Sequence, residues 1–476
     1  MSKFSIAVMG WTLWDGKGRV PTGGAAVTFE LTKRLSRYFN CDMIFETSDR
    51  SKAGKIEETC VGFRRRFILR SKGLWRLDDD FLRDYDLIHI WDSEPIFTYR
   101  AFTSKFLPHC YTLHSAISMM DWIGLASAFY VDGYDMIALG SSCLAEALNK
   151  AWRVSVNVIP YGVDTDFFKP LDKYECREIL NLPREKFILG YLGRIRKFDF
   201  LLAYEVVREI KKITGRDDVM LVVAGGSKKI KPVYVKDDFI YLGYLEKLKV
   251  PYFLNSCNVF FNPIAGIREG FGLTILEAMS CGLPIITTFW NGYRDTVSPD
   301  VGFLARTCWH NGDVWINYND LVSACIKLLK NEDLQEQMSK NARARAEQNY
   351  QWDYCVNNYR SKFLDLIKRG EPKKLPYERT PEKIVIKIND EFHLLSLEEA
   401  FKNLDKIRID FWKLHKNFVS DLNVNPTREK GWKRFLCIEN ILNLPKYRLD
   451  MKKAINRLES KLSMLFPKLV RVLQKT

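Results

Sequence analysis

Two glutamates separated by seven residues, Glu269 and Glu277, are the side chains in this sequence best suited to act together on one ligand. Gly270 and Gly272 follow the first acid, and nothing between Leu273 and Cys281 breaks a helix. Glycine lets a backbone approach a ligand closely, and a helix N-terminus offers N–H groups and a positive dipole end to phosphate. A carboxylate inside such a helix can accept two hydrogen bonds from a vicinal diol, as in dinucleotide-binding folds. The pattern therefore predicts a nucleotide-diphosphate pocket with a carboxylate at its reacting end.

Cations follow the strand predicted over Ile188–Tyr191. Arg194, Arg196 and Lys197 lie within four positions just beyond it. Two positive side chains at a strand end can neutralise a departing diphosphate without a metal ion. We therefore expect this strand end to belong to the same pocket as the two glutamates.

Two weaker signals lie in the first third of the chain. Gly23 and Gly24 follow the first predicted strand and open a helix, where paired glycines let the backbone approach a bound group. His114 ends another predicted strand, where a histidine can hydrogen-bond a sugar hydroxyl or help hold a reacting geometry. A lone histidine is more often structural, so the residue pattern alone leaves both roles open.

Length and composition predict a protein of two or three domains with large cores. The chain has 476 residues, of which 47% are hydrophobic and 13% aromatic. It contains no apolar run of about 18 residues, so no transmembrane helix is expected. The segment Phe4–Gly10 is typical of a first buried strand and is too short for a signal peptide. The 11 cysteines stand singly, which argues against a zinc site and favours a reduced, cytoplasmic setting.

Strand-like runs alternate with helix-like stretches from residue 4 to about residue 350, which predicts two doubly wound α/β domains. Ligands of such folds bind beyond the carboxyl ends of strands, so a cleft between the domains is the expected site. The hinge is predicted near Val158–Pro170. The predicted strands are Ile6–Met9, Asp86–Trp91, Tyr111–His114, Met136–Leu139 and Asn157–Pro160, then Ile188–Tyr191, Met220–Ala224, Phe239–Leu242, Val259–Asn262 and Ile285–Thr288.

The Glu-x7-Glu segment, with Gly-Phe-Gly-Leu inside it and Ala-Met-Ser-Cys-Gly-Leu-Pro after it, closely resembles the donor-site motif of glycosyltransferase family 4. Members of that family are retaining enzymes with the two-domain GT-B fold. The resemblance implies a Rossmann-like acceptor-side domain over residues 1–163 and a Rossmann-like donor domain over 164–350. It also implies a closing helix over 351–369 that crosses back to the first domain. A basic, mainly helical extension over 370–476 falls outside the family pattern.

The resemblance also implies roles for single residues. Arg194 and Lys197 would bind the donor diphosphate, Glu277 the ribose, and Glu269 the donor sugar. Phe198 directly follows Lys197, where the family has a different spacing, so Arg196 is the alternative partner of the diphosphate. The implied catalytic residues are Glu269 and His114, and the implied donor-binding residues are Gly23, Gly24, Arg194, Lys197, Leu245, Gly270, Phe271, Gly272, Leu273, Thr274 and Glu277.

A second departure from the family pattern lies at Asn291–Asp295, where Gly-Gly and a later Glu are usual.

The function implied by the resemblance is that of a retaining glycosyltransferase that needs neither metal nor other cofactor. It would move a sugar from a nucleotide diphosphate to a glycan or lipid-linked acceptor. Two alternatives remain at this point. One is another GT-B enzyme, such as a nucleotide-sugar epimerase or a phosphorylase. The other is a catalytically degenerate membrane or assembly scaffold.

The extension carries most of the excess positive charge. Residues 371–476 hold 23 Lys and Arg against 14 Asp and Glu, in a chain of net charge +15. A basic tail indicates an anionic membrane surface, an acidic partner or nucleic acid, although ordinary solubility charge explains it equally well. Helical spacing over Leu397–Leu422 and a heptad-like seam over Met451–Val472, interrupted by Pro467, predict a helical hairpin. Such a hairpin would pack on the body or on a second copy of the chain, or would lie on a membrane as a peripheral contact.

Overall fold

The computed structural model describes residues 3–10, 23–47, 49–69, 84–91, 109–113, 135–152, 155–226, 233–235, 238–266, 269–311, 313–370, 383–388, 391–396, 419–421 and 423–436. The chain divides into two compact units. The first comprises Met1–Gly162 and Trp352–His415, and the second comprises Val163–Gln351 and Lys416–Thr476. The polypeptide therefore passes between the units three times.

An eight-stranded sheet lies at the centre of the first unit. Its strand order is β3-β4-β2-β1-β5-β6-β7-β8, and all neighbours pair in parallel except β3 with β4. Helices α1 (Gly23–Leu35) and α2 (Ser142–Trp152) belong to the same unit. The strands are β1 (Ser5–Gly10), β2 (Asn40–Thr47), β3 (Ile56–Cys60), β4 (Phe63–Leu69), β5 (Leu87–Trp91), β6 (His109–Leu113), β7 (Met136–Leu139) and β8 (Asn157–Val158).

A seven-stranded sheet forms the second unit, in the order β11-β12-β10-β9-β13-β14-β15. Only β11 runs antiparallel to its neighbour. Counted along the chain, its parallel strands follow the order 3-2-1-4-5-6 of a dinucleotide-binding fold. The strands are β9 (Phe187–Leu192), β10 (Val219–Ala224), β11 (Val233–Val235), β12 (Phe239–Gly243), β13 (Val259–Asn262), β14 (Ile285–Thr288) and β15 (Gly302–Ala305).

Helices flank this second sheet, and several end in local signals that the sequence carries. Helix α4 begins after Asp199, whose carboxylate accepts a hydrogen bond from the Leu202 amide, and it ends at Gly215 in a left-handed conformation. The helices are α3 (Lys173–Ile179), α4 (Phe200–Thr214), α5 (Val250–Ser256), α6 (Leu273–Ser280), α7 (Tyr293–Thr296), α8 (Tyr318–Leu329) and α9 (Glu332–Asn349).

All ten predicted strands are confirmed as members of these two sheets, although several bounds differ by a few residues. The predicted helix over Leu273–Cys281 is confirmed as α6. Helix α9 is followed by α10 (Trp352–Arg369), which spans the helix predicted over residues 351–369. The expectation of doubly wound α/β domains is therefore correct for both units.

Helix α10 packs in the first unit. Its Phe363 ring lies 5.1 Å from the ring of His89 on β5, and Tyr359 lies 5.6 Å from the same histidine. Burial lowers the pKa of His89 to about 3, so this histidine is a neutral core residue. Arg369, at the end of the helix, forms an ion pair with the buried carboxylate of Asp135.

The described parts of the extension consist of strands and connections. Strands β16 (Thr307–His310), β17 (Asp313–Asn317) and β20 (Trp432–Arg434) form an antiparallel sheet in the second unit. Strands β18 (Lys383–Ile388) and β19 (Glu391–Ser396) pair as an antiparallel hairpin. Over the residues described, no helix is long and apolar enough to cross a membrane.

One expectation for the extension is corrected. The predicted helical run reached Leu422, but Ser420 and Asp421 both donate their amides to the carbonyl of Thr307, at 3.1 and 3.0 Å. Those amides are therefore used by a neighbouring strand and not by a helix. The rest of that run, the seam over Met451–Val472 and the predicted site residue His114 lie outside the described residues.

Candidate active site

The reversal point of strand order in the second sheet lies between β9 and β13, which pair in parallel. Lys197 follows β9 in the chain, and Glu269 follows β13. The Lys197 ammonium donates a hydrogen bond to the Glu269 carboxylate, and both side chains are largely buried. Open α/β sheets bind ligands in the crevice outside the carboxyl ends of the strands at such a reversal point. The structure therefore places a largely buried cation and a largely buried acid together where a ligand is expected.

The turn after β9 decides how the cations are presented. Its core consists of a single 3-10 turn, Ile195–Lys197, closed by a hydrogen bond from the Lys197 amide to the Arg194 carbonyl at 2.9 Å. Phe198 stacks on Tyr191 with ring centroids 4.0 Å apart, which anchors the turn to the sheet. Lys197 is turned inward, whereas Arg194 and Arg196 are exposed.

The loop after β13 leads directly into helix α6. Gly272 precedes the first residue of that helix with a φ of +90°, a left-handed conformation that favours glycine. A Cβ at Gly272 would also lie 2.7 Å from the Tyr293 ring. The expected glycine-broken loop in front of a helix N-terminus is thus present, and Leu273 and Thr274 form its first helical positions.

The turn between β14 and α7 contacts the loop that bears Glu269 and Gly270. The Asn291 side-chain amide donates a hydrogen bond to the Glu269 carbonyl at 2.9 Å. The backbones of Gly292 and Gly270 approach so closely that a Cβ at Gly292 would lie 2.4 Å from the Gly270 carbonyl oxygen. This departure from the family pattern is therefore a part of the site that contacts the loop bearing Glu269.

Tyr293 is a site residue that the sequence interpretation missed. It is 1% exposed, and its hydroxyl interacts with the Glu269 carboxylate and with the Asn262 side chain. Burial, together with the negative charge of Glu269, raises the pKa of Tyr293 well above its ordinary value. The phenol therefore stays protonated and can donate to the carboxylate. Its position directly after Asn291-Gly292 was the one available signal.

Glu277 lies on α6 and is partly buried. Burial raises the pKa of its carboxyl to about 7, and the positive charge of Lys247 opposes that shift. Lys247 belongs to the turn that follows β12, two residues after the partly exposed Leu245. An acid whose pKa lies close to neutrality can accept hydrogen bonds from a ligand diol when it is ionised.

The remaining predicted residues fall into three groups. Gly270 and Phe271 are buried in the loop before α6. Gly23 and Gly24 belong to the first unit, where they begin α1 and where the Gly24 carbonyl accepts a hydrogen bond from the Thr28 hydroxyl at 2.8 Å. His114 lies outside the described part of the chain, so its predicted role stays a prediction.

Comparison with known proteins places this site in a known type of domain. Residues 172–345 match the family model described as Glycosyl transferases group 1. The capsular polysaccharide biosynthesis glycosyltransferase CapM of Staphylococcus aureus is 26% identical over 254 residues, which cover 50% of this chain and 63% of the relative. A UDP-Gal:alpha-D-GlcNAc-diphosphoundecaprenol alpha-1,3-galactosyltransferase of Escherichia coli is 28% identical over 229 residues, which cover 45% of this chain and 55% of the relative. The chain therefore spans less than two thirds of the length of each of these relatives.

Among solved structures, sucrose-phosphate synthase from Thermosynechococcus elongatus superposes with a TM-score of 0.62 at 19% sequence identity. The superposition covers 77% of this chain and all of the other. This likeness confirms the predicted GT-B type of fold. Residues 172–345, which contain Lys197, Glu269 and Glu277, are thus a Glycosyl transferases group 1 domain.

Proposed function

We propose that this protein is a retaining glycosyltransferase that moves a sugar from a nucleotide diphosphate to an acceptor hydroxyl without a metal ion. One observation carries the proposal. The largely buried Lys197–Glu269 pair lies at the strand-order reversal of the sheet, just before the N-terminus of α6 and inside the matched domain. A cation, an acid and a helix N-terminus at one point suit a sugar diphosphate, which is anionic at one end and rich in hydroxyl groups at the other.

Donor binding would exchange the partner of Lys197. The ammonium would leave Glu269 for a phosphate oxygen, and the Glu269 carboxylate would then accept hydrogen bonds from sugar hydroxyls. Tyr293, behind the carboxylate, would hold it in place during this exchange. Glu277 would accept hydrogen bonds from the ribose, and the backbone near Leu245 would contact the nucleobase.

Catalysis would depend on charge stabilisation at the leaving group. The bond between the anomeric carbon and the diphosphate oxygen breaks, and a bond to the acceptor oxygen forms on the same face of the sugar. The acceptor proton passes to the departing phosphate oxygen. Arg194, Lys197 and the first turn of α6 stabilise the negative charge that develops on the diphosphate, more strongly in the transition state than in the bound donor.

The acceptor that we propose is a glycan or a lipid-linked glycan. The names of the two curated relatives refer to a capsular polysaccharide and to a diphosphoundecaprenol-linked sugar. We further propose that the protein is cytoplasmic and that the basic residues of 370–476 bring it to an anionic membrane surface, where a lipid-linked acceptor would be found. Association of two copies through the same region is part of this proposal.

A screen of UDP-, GDP- and ADP-sugars against the full chain, with a chelator present, tests the proposal. We expect one donor to bind and to be hydrolysed slowly in the presence of EDTA. Lys197→Ala and Glu269→Gln should abolish this turnover. Lys211→Ala is the matched control, because Lys211 also forms a partly buried ion pair, with Asp238, at the opposite, amino-terminal edge of the sheet.

The outcomes separate the alternatives. Conversion of the donor to an epimer without release of nucleotide would favour an epimerase, and phosphate-dependent release of a sugar phosphate would favour a phosphorylase. Binding of no donor at all would refute the transferase proposal and favour a scaffold. Loss of turnover on addition of EDTA, restored by a divalent cation, would refute metal independence alone.

A further inference from the structure

The described segment of the extension that packs on the second unit, residues 419–421 and 423–436, is here called the strap. Its strand β20 pairs with β17, with Trp432 opposite Asn317 and Arg434 opposite Trp315. Val419, Trp432 and Phe435 of the strap are buried. The strap is therefore an integral part of the fold of the second unit, although it lies about 75 residues beyond the end of the matched domain.

Polar contacts fix the strap at several points. Its Ser420 hydroxyl accepts a hydrogen bond from the Thr307 amide at 2.8 Å, and its Arg434 guanidinium pairs with Asp313 at 3.1 Å. Lys433 forms an ion pair with Glu205, which lies on α4, and its ammonium lies 4.3 Å from the centroid of the Tyr318 ring. The strap thus contacts α4, the helix that follows the cationic turn of the candidate active site.

The end of the strap reaches the start of that helix. The Leu436 amide donates a hydrogen bond to one carboxylate oxygen of Asp199 at 2.8 Å, while the other oxygen caps α4 by accepting from the Leu202 amide at 3.0 Å. Asp199 is 4% exposed, and burial raises its pKa to about 6. A carboxylate in such a place needs both donors, because an unmet buried acceptor is costly.

Asp199 lies two residues after Lys197 in the chain. The only residue between them, Phe198, is buried, stacked on Tyr191 and in edge-to-face contact with Phe200, so the segment has little room to move independently. The orientation of Asp199 therefore constrains the orientation of the cationic turn. We propose that the strap is a positioning element for the donor site: through Asp199, it holds Arg194–Lys197 in the arrangement that binds the donor diphosphate. This inference rests on the proposed function.

Two single substitutions in the full chain test the inference, one at the donor and one at the acceptor of the hydrogen bond between Leu436 and Asp199. Leu436→Pro removes the N–H that Asp199 accepts, and Leu436→Ala is its matched control because it keeps that N–H. Asp199→Asn retains a carbonyl oxygen to cap α4 but replaces the second acceptor with an amide donor. We expect the donor identified in the screen to bind wild type and Leu436→Ala equally. It should bind Leu436→Pro and Asp199→Asn about tenfold more weakly, because the cationic turn is then no longer held in its binding arrangement.

The double variant distinguishes positioning from simple loss of stability. If the strap acts through Asp199, then Leu436→Pro combined with Asp199→Asn should weaken donor binding no more than either change alone. Affinities are measured well below the unfolding midpoint of each ligand-free variant, so a purely structural role would leave them unchanged. The inference would be overturned if the double variant lost affinity by the product of the two single fold-losses. It would also be overturned if both single variants bound the donor as tightly as wild type. If Leu436→Pro does not fold, Asp199→Asn alone decides it.

Failure of the inference and failure of the proposed function give different results. Wild type that binds one donor, together with variants that bind it equally well, refutes the strap's role and leaves the transferase proposal intact. Wild type that binds none of the nucleotide sugars refutes both.

Discussion

Replacing Glu277 by Gln should make the protein more stable and less able to bind its donor. Burial raises the pKa of Glu277 from 4.5 to about 7, which means that the fold disfavours the ionised carboxylate. At about 1.4 kcal/mol for each pKa unit, this displacement corresponds to roughly 3 kcal/mol of unfavourable free energy in the folded state above pH 7. Glutamine never ionises and escapes that cost, so a stabilisation of about 1–3 kcal/mol is expected at pH 8.

The sign of the pH dependence follows from the raised pKa. Below 4.5 the carboxyl is protonated in both folded and unfolded chains, so the cost is absent. The free-energy cost of ionising Glu277 in the folded state appears as the pH rises from 4.5 to about 7, and it is complete above that interval. The gain in stability of Glu277→Gln should therefore be present at pH 8 and disappear toward pH 4.5.

Calorimetry of the full, ligand-free chain at several pH values measures this effect. The unfolding midpoint of the variant should exceed that of wild type by several degrees at pH 8, at roughly 2–4 °C for each kcal/mol. Lys247→Met provides a control of opposite sign, because Lys247 lowers the pKa of Glu277 and so reduces the cost of ionisation. Donor affinity should meanwhile fall about tenfold in Glu277→Gln, through loss of a hydrogen bond to a charged acceptor.

Two results would refute this reasoning. A stability difference that is the same at pH 4.5 and pH 8 would mean that ionisation of Glu277 is not what the fold disfavours. A variant that is stabilised at pH 8 yet binds donor as well as wild type would mean that the costly carboxylate has no role in donor binding.

Tyr293→Phe should leave folding nearly unchanged but reduce kcat/KM about tenfold, because Glu269 loses its interaction with the Tyr293 hydroxyl. A kcat/KM equal to that of wild type would contradict the contact. Gly292→Ala should cost about 1–3 kcal/mol in calorimetry and also weaken donor binding, since its methyl group collides with the loop that bears Glu269; normal affinity would contradict this. Gly190→Ala should lower the free energy of unfolding by a similar amount, because the new Cβ collides with the Cys257 sulfur. The second change Cys257→Ala should restore that stability, and additive losses of stability in the double variant would refute the collision.

Local sequence was sufficient for the elements with the simplest signals. Strands that are buried on both faces of a parallel sheet read as continuous apolar runs, as in Val219–Ala224 and Val259–Asn262. The start of α6 after two glycines, and its continuous helical body, could also be predicted from the sequence. Backbone freedom and helix propensity are properties of single residues.

The sequence did not predict strands whose polar residues find hydrogen-bond partners only in the folded protein. Strand β2 contains Asp42, which is 1% exposed and is bound by Arg64 at 2.6 Å and by the Tyr85 hydroxyl at 2.7 Å. A charged residue in a strand reads as a surface or loop position, and its burial becomes favourable only when distant partners compensate the lost hydration. Strand β20 was missed for a related reason, since its hydrogen-bonding neighbour β17 lies more than 100 residues earlier.

The sequence by itself determined the types of residue at the candidate site: the two acids at a spacing of eight positions, the cations after β9 and the glycines before α6. Only the tertiary structure decided which of them meet. Strand order placed Lys197 and Glu269 on either side of its reversal point, and packing brought Tyr293 behind Glu269 and the strap onto Asp199. Contacts between residues so far apart in the chain depend on sheet order and close packing, which no local pattern of residues encodes.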